Sequence, residues 1–139
     1  MLGELVGHAS GQIIGTRVLP ADGHEPRVEV TFQGTGQLLG QEILNLGTYV
    51  QTVRPGGVLY GEGHVLITTE QGDTADWVGF GVGRPTGKPP AGTFAVCGSY
   101  RSASGPFEPL SAVATVIEFE VDEKGAYQWQ MWEWLPATG

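Results

Sequence analysis

Alternation of apolar and polar positions is the dominant pattern along this chain. Val28, Val30, Phe32 and Leu38 share one face of an extended segment, whereas charged and polar side chains occupy the other. Helical spacing of apolar residues is not sustained over three turns in any window. The pattern predicts about eight strands, at Glu4–Leu19, Arg27–Leu38, Glu42–Val53, Val58–Thr69, Asp73–Arg84, Thr93–Ser102, Ala112–Val121 and Ala126–Trp134.

Short turns rich in glycine, proline and aspartate separate most of these strands. Strands joined in sequence order by short turns form a meander, and about eight of them can close so that no edge is exposed. We therefore predict one all-β domain over residues 1–139, a closed eight-stranded antiparallel up-and-down barrel. The longer breaks at 85–92 and 103–109 are predicted loops, the second with room for one short helical turn.

Two turns with a glycine at their last position predict the hairpin registers. Closure at Gly125 pairs Asp122 with Ala126, and closure at Gly72 pairs Thr69 with Asp73. The first register gives a core face that includes Phe119, Tyr127 and Trp129. The second gathers five glycines on one strand face together with Trp77, namely Gly61, Gly63, Gly79, Gly81 and Gly83.

The glycine face has two interpretations. If it points into the barrel, bare backbone leaves a hollow that Trp77, Tyr49 of the preceding strand or a ligand must fill, because an empty cavity is costly. If it points outward, the glycines only permit strong coiling or a flat contact. We favour the inward orientation and predict a ligand surface formed by Tyr49, Trp77, Phe119, Tyr127 and Trp129.

Composition narrows the classes of partner. The formal net charge is -8 and only 16% of residues are charged, so the surface repels phosphate backbones and anionic membranes. We expect neither nucleic-acid nor membrane binding. The start of the chain has no basic region followed by an apolar run, and no membrane span is predicted. The cytoplasm is the expected location.

Three side chains are candidates for acid–base catalysis. Glu62 and His64 are two residues apart on one strand face, where a carboxylate and an imidazole stabilise each other's charged forms. Glu133 falls on the core face opposite Thr115, near one barrel end. The alternative for each is a solvated polar residue at the surface or the rim. His8, His24 and the lone Cys97 have no metal-ligand spacing, so neither a metal nor a cofactor is expected.

An aromatic stripe is predicted on the outside of the last hairpin. Trp132 and Trp134 share the outward face with Val116 and Ala114. Exposed apolar patches with aromatic residues often mark subunit contacts. We expect a homo-oligomer, a dimer or trimer, formed through this face, although cover by a terminal segment or a loop is the alternative.

Three segments resemble a family of small uncharacterised bacterial proteins: Leu59-Tyr60-Gly61-Glu62-Gly63, Gly79-Phe80-Gly81-Val82-Gly83-Arg84 and Glu118-Phe119-Glu120-Val121-Asp122-Glu123-Lys124-Gly125. More distantly, that family resembles the allene oxide cyclase and dirigent barrels. The resemblance implies an eight-stranded antiparallel barrel, a lumen for an apolar small molecule, frequent trimers and no cofactor. The cyclase family's catalytic residues have no matching positions here, so its activity is not implied.

Three functions are compatible with these features. The first is a binding module that holds an apolar small molecule in the lumen. The second is a cofactor-free isomerase or cyclase, in which the lumen orients a flexible substrate and Glu133 or Glu62 transfers a proton. The third is a structural homo-oligomer without a ligand.

Overall fold

The computed structural model describes residues 1–23 and 25–137, and within them the predicted closed barrel is confirmed. Eight strands pair antiparallel in sequence order, and the first also pairs with the eighth. Their bounds are β1 Leu2–Asp22, β2 Glu25–Leu38, β3 Gln41–Arg54, β4 Val58–Thr68, β5 Thr74–Pro85, β6 Gly92–Ala103, β7 Ala114–Val121 and β8 Ala126–Trp134. Closure leaves no unpaired edge along most of the wall.

Strand β1 is longer than predicted and extends past the closed part of the barrel. Its pairing with the nine-residue β8 ends at Gln12 opposite Ala126, whereas its pairing with β2 continues to Asp22. Beyond Gln12, β1 therefore has a partner on one side only. Val18, on this projecting part, is 83% exposed.

The segment between β6 and β7 forms a 3₁₀ helix at Gly105–Ala112. The predicted start of β7 at Ala112 was two residues too early, because Ala112 still belongs to this helix and the Val113 amide donates a hydrogen bond to the Leu110 carbonyl. The helix lies against β6 and β5 and buries Phe107 and Leu110 in the core. It covers the barrel end at which β6 stops. No helix in the described part of the chain is long and apolar enough to cross a membrane.

Both predicted hairpin registers are confirmed. The Asp122 amide donates a hydrogen bond to the Ala126 carbonyl, and the Thr69 amide donates one to the Asp73 carbonyl. Gly125 and Gly72 have φ values of 82° and 88°, which disfavour any residue with a side chain. These registers direct the glycine face of β4 and β5 inward, since Trp77 on that face is buried.

The inward glycines make room for aromatic rings. The indole of Trp77 lies across Gly79 and Gly98, and a Cβ atom at Gly98 would stand only 2.5 Å from its Cζ2 atom. The ring of Phe94 occupies the space beside Gly83 in the same way. Most of the predicted hollow is therefore filled by side chains from neighbouring strands.

We expect Gly79→Ala to lower the free energy of unfolding by about 1–3 kcal/mol, because its Cβ atom would overlap the buried Trp77 ring. Chemical denaturation of the variant and of the unmodified protein measures the difference. Gly15→Ala is the matched control, since a Cβ atom there has nothing within 4 Å and should change stability by less than about 0.5 kcal/mol. Equal stability of the two variants would contradict this packing.

Candidate functional site

A cavity of about 80 Å³ remains inside the barrel. Bare backbone of β4 and β5 forms one side of it, at Gly61, Gly63, Gly79 and Gly81. Most of the remaining lining is aromatic or aliphatic, Thr48 and His64 also border it, and Asp, Glu, Lys and Arg are absent. The glycine face thus produces an apolar space, although a smaller one than five missing side chains suggest.

Four of the five residues predicted to form the ligand surface border the cavity: Tyr49, Trp77, Phe119 and Trp129. Tyr127 does not belong to the lining. Its ring stacks on Phe119 at 5.7 Å between centroids and meets Phe32 edge-on at 4.8 Å, so it supports the lining from behind. Whether any of these residues contacts a ligand stays a prediction.

Tyr49 joins the cavity to a cluster of aromatic rings. Its ring centroid lies 5.9 Å from that of Phe119, 6.0 Å from that of Phe32 and 6.3 Å from that of Phe94. Burial raises the pKa of the Tyr49 hydroxyl to about 12, so the phenol is neutral at physiological pH. The lining accordingly carries no charge from this residue.

A buried asparagine, which the sequence analysis missed, organises polar groups next to the lumen. Asn45 is 1% exposed, and its Oδ1 atom accepts hydrogen bonds from the Tyr127 hydroxyl at 3.0 Å and the Trp129 Nε1 at 3.3 Å. Asn45 lies on β3 and both rings lie on β8, so these bonds connect two strands that are separated by β1 and β2 in the closed barrel. The sequence feature that could have revealed this residue is an asparagine at an inward position of the strand, between Ile43 and Gly47.

A second polar link holds the indole over the glycines. Trp77 Nε1 donates to the Thr115 hydroxyl at 2.9 Å, and that hydroxyl donates to the Gly98 carbonyl at 2.9 Å. Trp77 is therefore fixed both by a hydrogen bond at its edge and by backbone under its face. Its position next to the cavity is well defined, because a rotated ring would leave buried polar atoms without partners.

Glu62 and His64 lie on the outer face of β4, away from the lumen interior. Glu62 is exposed and accepts a hydrogen bond of 2.6 Å from the Tyr60 hydroxyl, so its bonded partner is this phenol and not His64. This bond raises the pKa of Tyr60, whose ring also lies under the Arg54 guanidinium at 3.8 Å. Both candidates border an outer groove of about 660 Å³ on β2 to β5. His64 also touches the cavity edge, but its imidazole is exposed.

Glu133 is half-buried at the barrel end where β8 stops, and it is not part of the cavity lining. It pairs with Thr115 as predicted, and its side chain packs over Gly3, where a Cβ atom would stand 2.7 Å from the Glu133 Cγ. The three acid–base candidates therefore occupy two separate places. The structure does not assemble them into one site.

Metal-ligating groups are also dispersed. Within residues 1–23 and 25–137, no three His, Cys, Asp or Glu side chains come together in a group that could hold a metal ion. His24 lies outside the described residues. Cys97 is half-buried on the outward face of β6.

The predicted aromatic stripe is part of a wider surface, which we call the uncharged outer band. One row runs in register across five strands through Leu5, Trp132, Val116, Cys97 and Phe80. The adjacent row consists of Leu2, Trp134, Ala114, Ser99 and Val78. Trp134 and Phe80, at opposite parts of the band, are 50% and 51% exposed.

Comparison with solved structures supports the fold. The chain is similar to a protein with unknown function from Clostridium acetobutylicum, with 15% identity, a TM-score of 0.77 and coverage of 94% of this chain and 96% of the other. A conserved protein of unknown function from Rhodopseudomonas palustris matches with 14% identity, a TM-score of 0.80 and coverage of 97% and 99%. A β-barrel-like protein from Acinetobacter baumannii matches with 15% identity, a TM-score of 0.79 and coverage of 96% and 94%.

No protein-family model and no curated protein matches the chain. The structural neighbours are thus bacterial β-barrel proteins of unknown function, in agreement with the coarser resemblance stated above. At these identities the likeness bears on the fold alone. The more distant resemblance to allene oxide cyclase and dirigent barrels stays a prediction.

The buried phenols predict a loss of stability in alkaline solution. Burial raises the pKa of Tyr49 and Tyr127 to about 12 and also raises that of Tyr100. In the unfolded chain these phenols ionise near pH 10. The contribution of these phenols to the free energy of unfolding is therefore fully present below about pH 10. It is lost as the pH rises toward 12, because the unfolded state loses its protons first.

Urea unfolding at pH 8, 10 and 11.5 measures this loss, and Tyr49→Phe should show a shallower decline than the unmodified protein. The same midpoint at pH 8 and pH 11.5 would show that these phenols are not held neutral by the fold.

Proposed function

We propose that the chain is a binding module for a small, neutral, apolar molecule, which occupies the lumen beside the β4–β5 glycines and the ring of Trp77. The observation that carries the proposal is the 80 Å³ cavity, whose lining combines bare backbone with mainly aromatic and aliphatic side chains. Such a lining offers dispersion contacts and no carboxylate, ammonium or guanidinium group to pair with a charge. A charged ligand would lose its hydration without compensation.

Filling the cavity is energetically favoured over leaving it empty. Residual cavity volume costs about 24 cal/mol per Å³, so leaving this space empty costs roughly 2 kcal/mol. Apolar cavities of this kind stay dry and accept small apolar molecules, as an engineered cavity of roughly 150 Å³ does with benzene and xenon. A molecule that fits this cavity recovers contacts that the protein alone does not make.

We expect xenon and benzene to bind to the purified protein and to raise its melting temperature in a concentration-dependent way. Chemical shift changes in ¹H–¹⁵N spectra should concentrate at Gly61, Gly63 and Gly79 and at the Trp77 indole. Benzoate is the matched control, since it has the same ring but carries a charge that the lining cannot solvate. Unchanged spectra at saturating xenon and benzene would refute lumen binding.

The isomerase alternative requires a carboxylate beside the bound molecule. Glu62 is exposed on the outer face and Glu133 lies at the barrel end, so neither is among the residues that border the cavity. The present geometry thus supports binding more than proton transfer. Once a substrate has been identified, unchanged turnover in both Glu62→Gln and Glu133→Gln would eliminate the acid–base version.

A second proposal concerns assembly: the uncharged outer band contacts a second copy of this chain. Ten neighbouring outward positions without a charged side chain cover roughly 300 Å² of sheet, taking about 4.8 Å between strands and about 6.8 Å per two residues. That footprint is at the lower end of the about 300–600 Å² that the largest apolar patch of a monomer covers, so it would form the centre of a larger contact. A copy of the same acidic chain can approach there because the band has no charged side chain on β5 to β8, and Glu4 is exposed only at its β1 edge.

We expect the unmodified protein to be oligomeric at micromolar concentration by native mass spectrometry, and Trp134→Glu to shift it toward monomer, because association would bury an unpaired charge. Val18→Glu is the matched control, since it places the same charge at an exposed apolar position outside the band. A monomeric unmodified protein, or equal effects of the two substitutions, would contradict this interface.

A further inference from the structure

Gly61 differs from the other glycines that line the lumen on β4 and β5. A Cβ atom at Gly61 would have only ordinary van der Waals neighbours, Tyr49 Cδ2 at 3.7 Å and the Val50 carbonyl oxygen at 3.9 Å. The residue is itself buried, borders the cavity and has no positive φ value. Its missing side chain therefore corresponds to free internal space.

The space at the neighbouring glycines is already taken. At Gly63 a Cβ atom would stand 2.7 Å from the Thr48 carbonyl oxygen and 2.8 Å from Tyr49 Cβ. At Gly81 it would stand 2.7 Å from Val96 Cγ2, and at Gly79 the Trp77 ring occupies the position. Packing within the barrel is sufficient to explain why these residues lack side chains, whereas it does not explain Gly61.

We propose that Gly61 determines the size of the molecule that the lumen accepts. This inference rests on the proposed binding function and adds to it the residue that limits the ligand. The pairing of Gly61 with Gln51 and Gly81 directs any side chain at position 61 into the cavity. Alanine would therefore reduce the cavity volume, and valine would reduce it further. Cavity volume, and not backbone strain, is the quantity that these substitutions change.

The cavity also restricts the chemical class of the ligand. At about 80 Å³ it has roughly half the volume of the apolar cavity that accepts benzene, so a bound group is no bulkier than one small ring or a short branched chain. The absence of Asp, Glu, Lys and Arg from the lining requires that this group be neutral. The ligand class is thus a compact hydrocarbon-like molecule, or a molecule that inserts a group of this kind.

The experiment compares Gly61→Ala and Gly61→Val with the unmodified protein, using xenon as the smaller probe and benzene as the larger one. Removing room for one methyl group in an apolar pocket costs about 10- to 200-fold in affinity. We expect Gly61→Ala to weaken benzene binding by about tenfold or more and xenon binding by less, and Gly61→Val to weaken both. Gly15→Ala, at a position in open space, should leave both affinities unchanged.

Thermal stability gives a readout that does not depend on a ligand. Because a Cβ atom at Gly61 fills space without a clash, Gly61→Ala should melt at or above the temperature of the unmodified protein. Gly81→Ala should melt lower, because its Cβ atom meets Val96.

The outcomes separate the two proposals. If the unmodified protein binds benzene and Gly61→Ala binds it equally well, the role of Gly61 is wrong and the lumen site stands. If neither probe binds the unmodified protein, the binding function is wrong. A drop in melting temperature for Gly61→Ala as large as that for Gly81→Ala would overturn the assignment of free space at Gly61.

Discussion

The interior of this barrel depends on aromatic rings that pack directly against bare backbone. An eight-stranded barrel has an interior just wide enough for side chains to fill, so large rings fit only where neighbouring inward positions have no side chain. Trp77 meets this condition over Gly79 and Gly98, and Phe94 meets it beside Gly83. Each ring also makes specific contacts, such as the bond from Trp77 Nε1 to Thr115. The glycines lose chain entropy on folding, and the buried rings offset that cost.

The cavity exists because the aromatic rings do not fill all the space that the inward glycines leave. Strands β4 and β5 contribute more missing side chains than the neighbouring rings can cover, and the uncovered remainder lies at Gly61. Because side chains alternate, the polar residues of the same strands, including Glu62 and His64, are directed outward. The period of two therefore separates an apolar interior from an acidic exterior. The proposed ligand site in the lumen and the exposed Glu62 and His64 therefore belong to opposite faces of one strand.

Charged side chains are unevenly distributed over the outer surface of the barrel. The chain carries a net charge of -8, yet two adjacent rows across β5 to β8 have no charged side chain, and Glu4 is exposed only at their β1 edge. Other acidic residues lie elsewhere on the surface, for example at Glu118 and Glu120 beside Gln128 and Gln130. Repulsion between two acidic copies is weaker where charges are sparse, as they are in the uncharged outer band. The proposed ligand site and the proposed assembly surface thus lie on opposite sides of the same sheet.

Sequence reasoning identified the number of strands and both hairpin registers, because these follow from local chemistry, whereas it favoured the inward orientation of the glycine face with the outward one still open. Alternation has a fixed period, and glycine at a positive φ value closes each turn at one position. It also placed Tyr49, Trp77, Phe119 and Trp129 around the lumen, since a residue's face follows from its register. Its boundary for β7 was two residues early, because the 3₁₀ helix continues to Ala112, and Tyr127 supports the cavity lining without belonging to it.

What the sequence by itself determined is which side chains share a face of each hairpin and that glycine is concentrated on one of these faces. Only the tertiary structure decided that the glycine face points inward and how much of the resulting hollow is empty. That volume depends on how rings from β2, β3, β5 and β6 reach across the closed barrel, and those contacts join residues far apart in the chain, such as Asn45 and Trp129. Local pattern carries no information on such distances, because they arise when the first and last strands pair and bring distant side chains together.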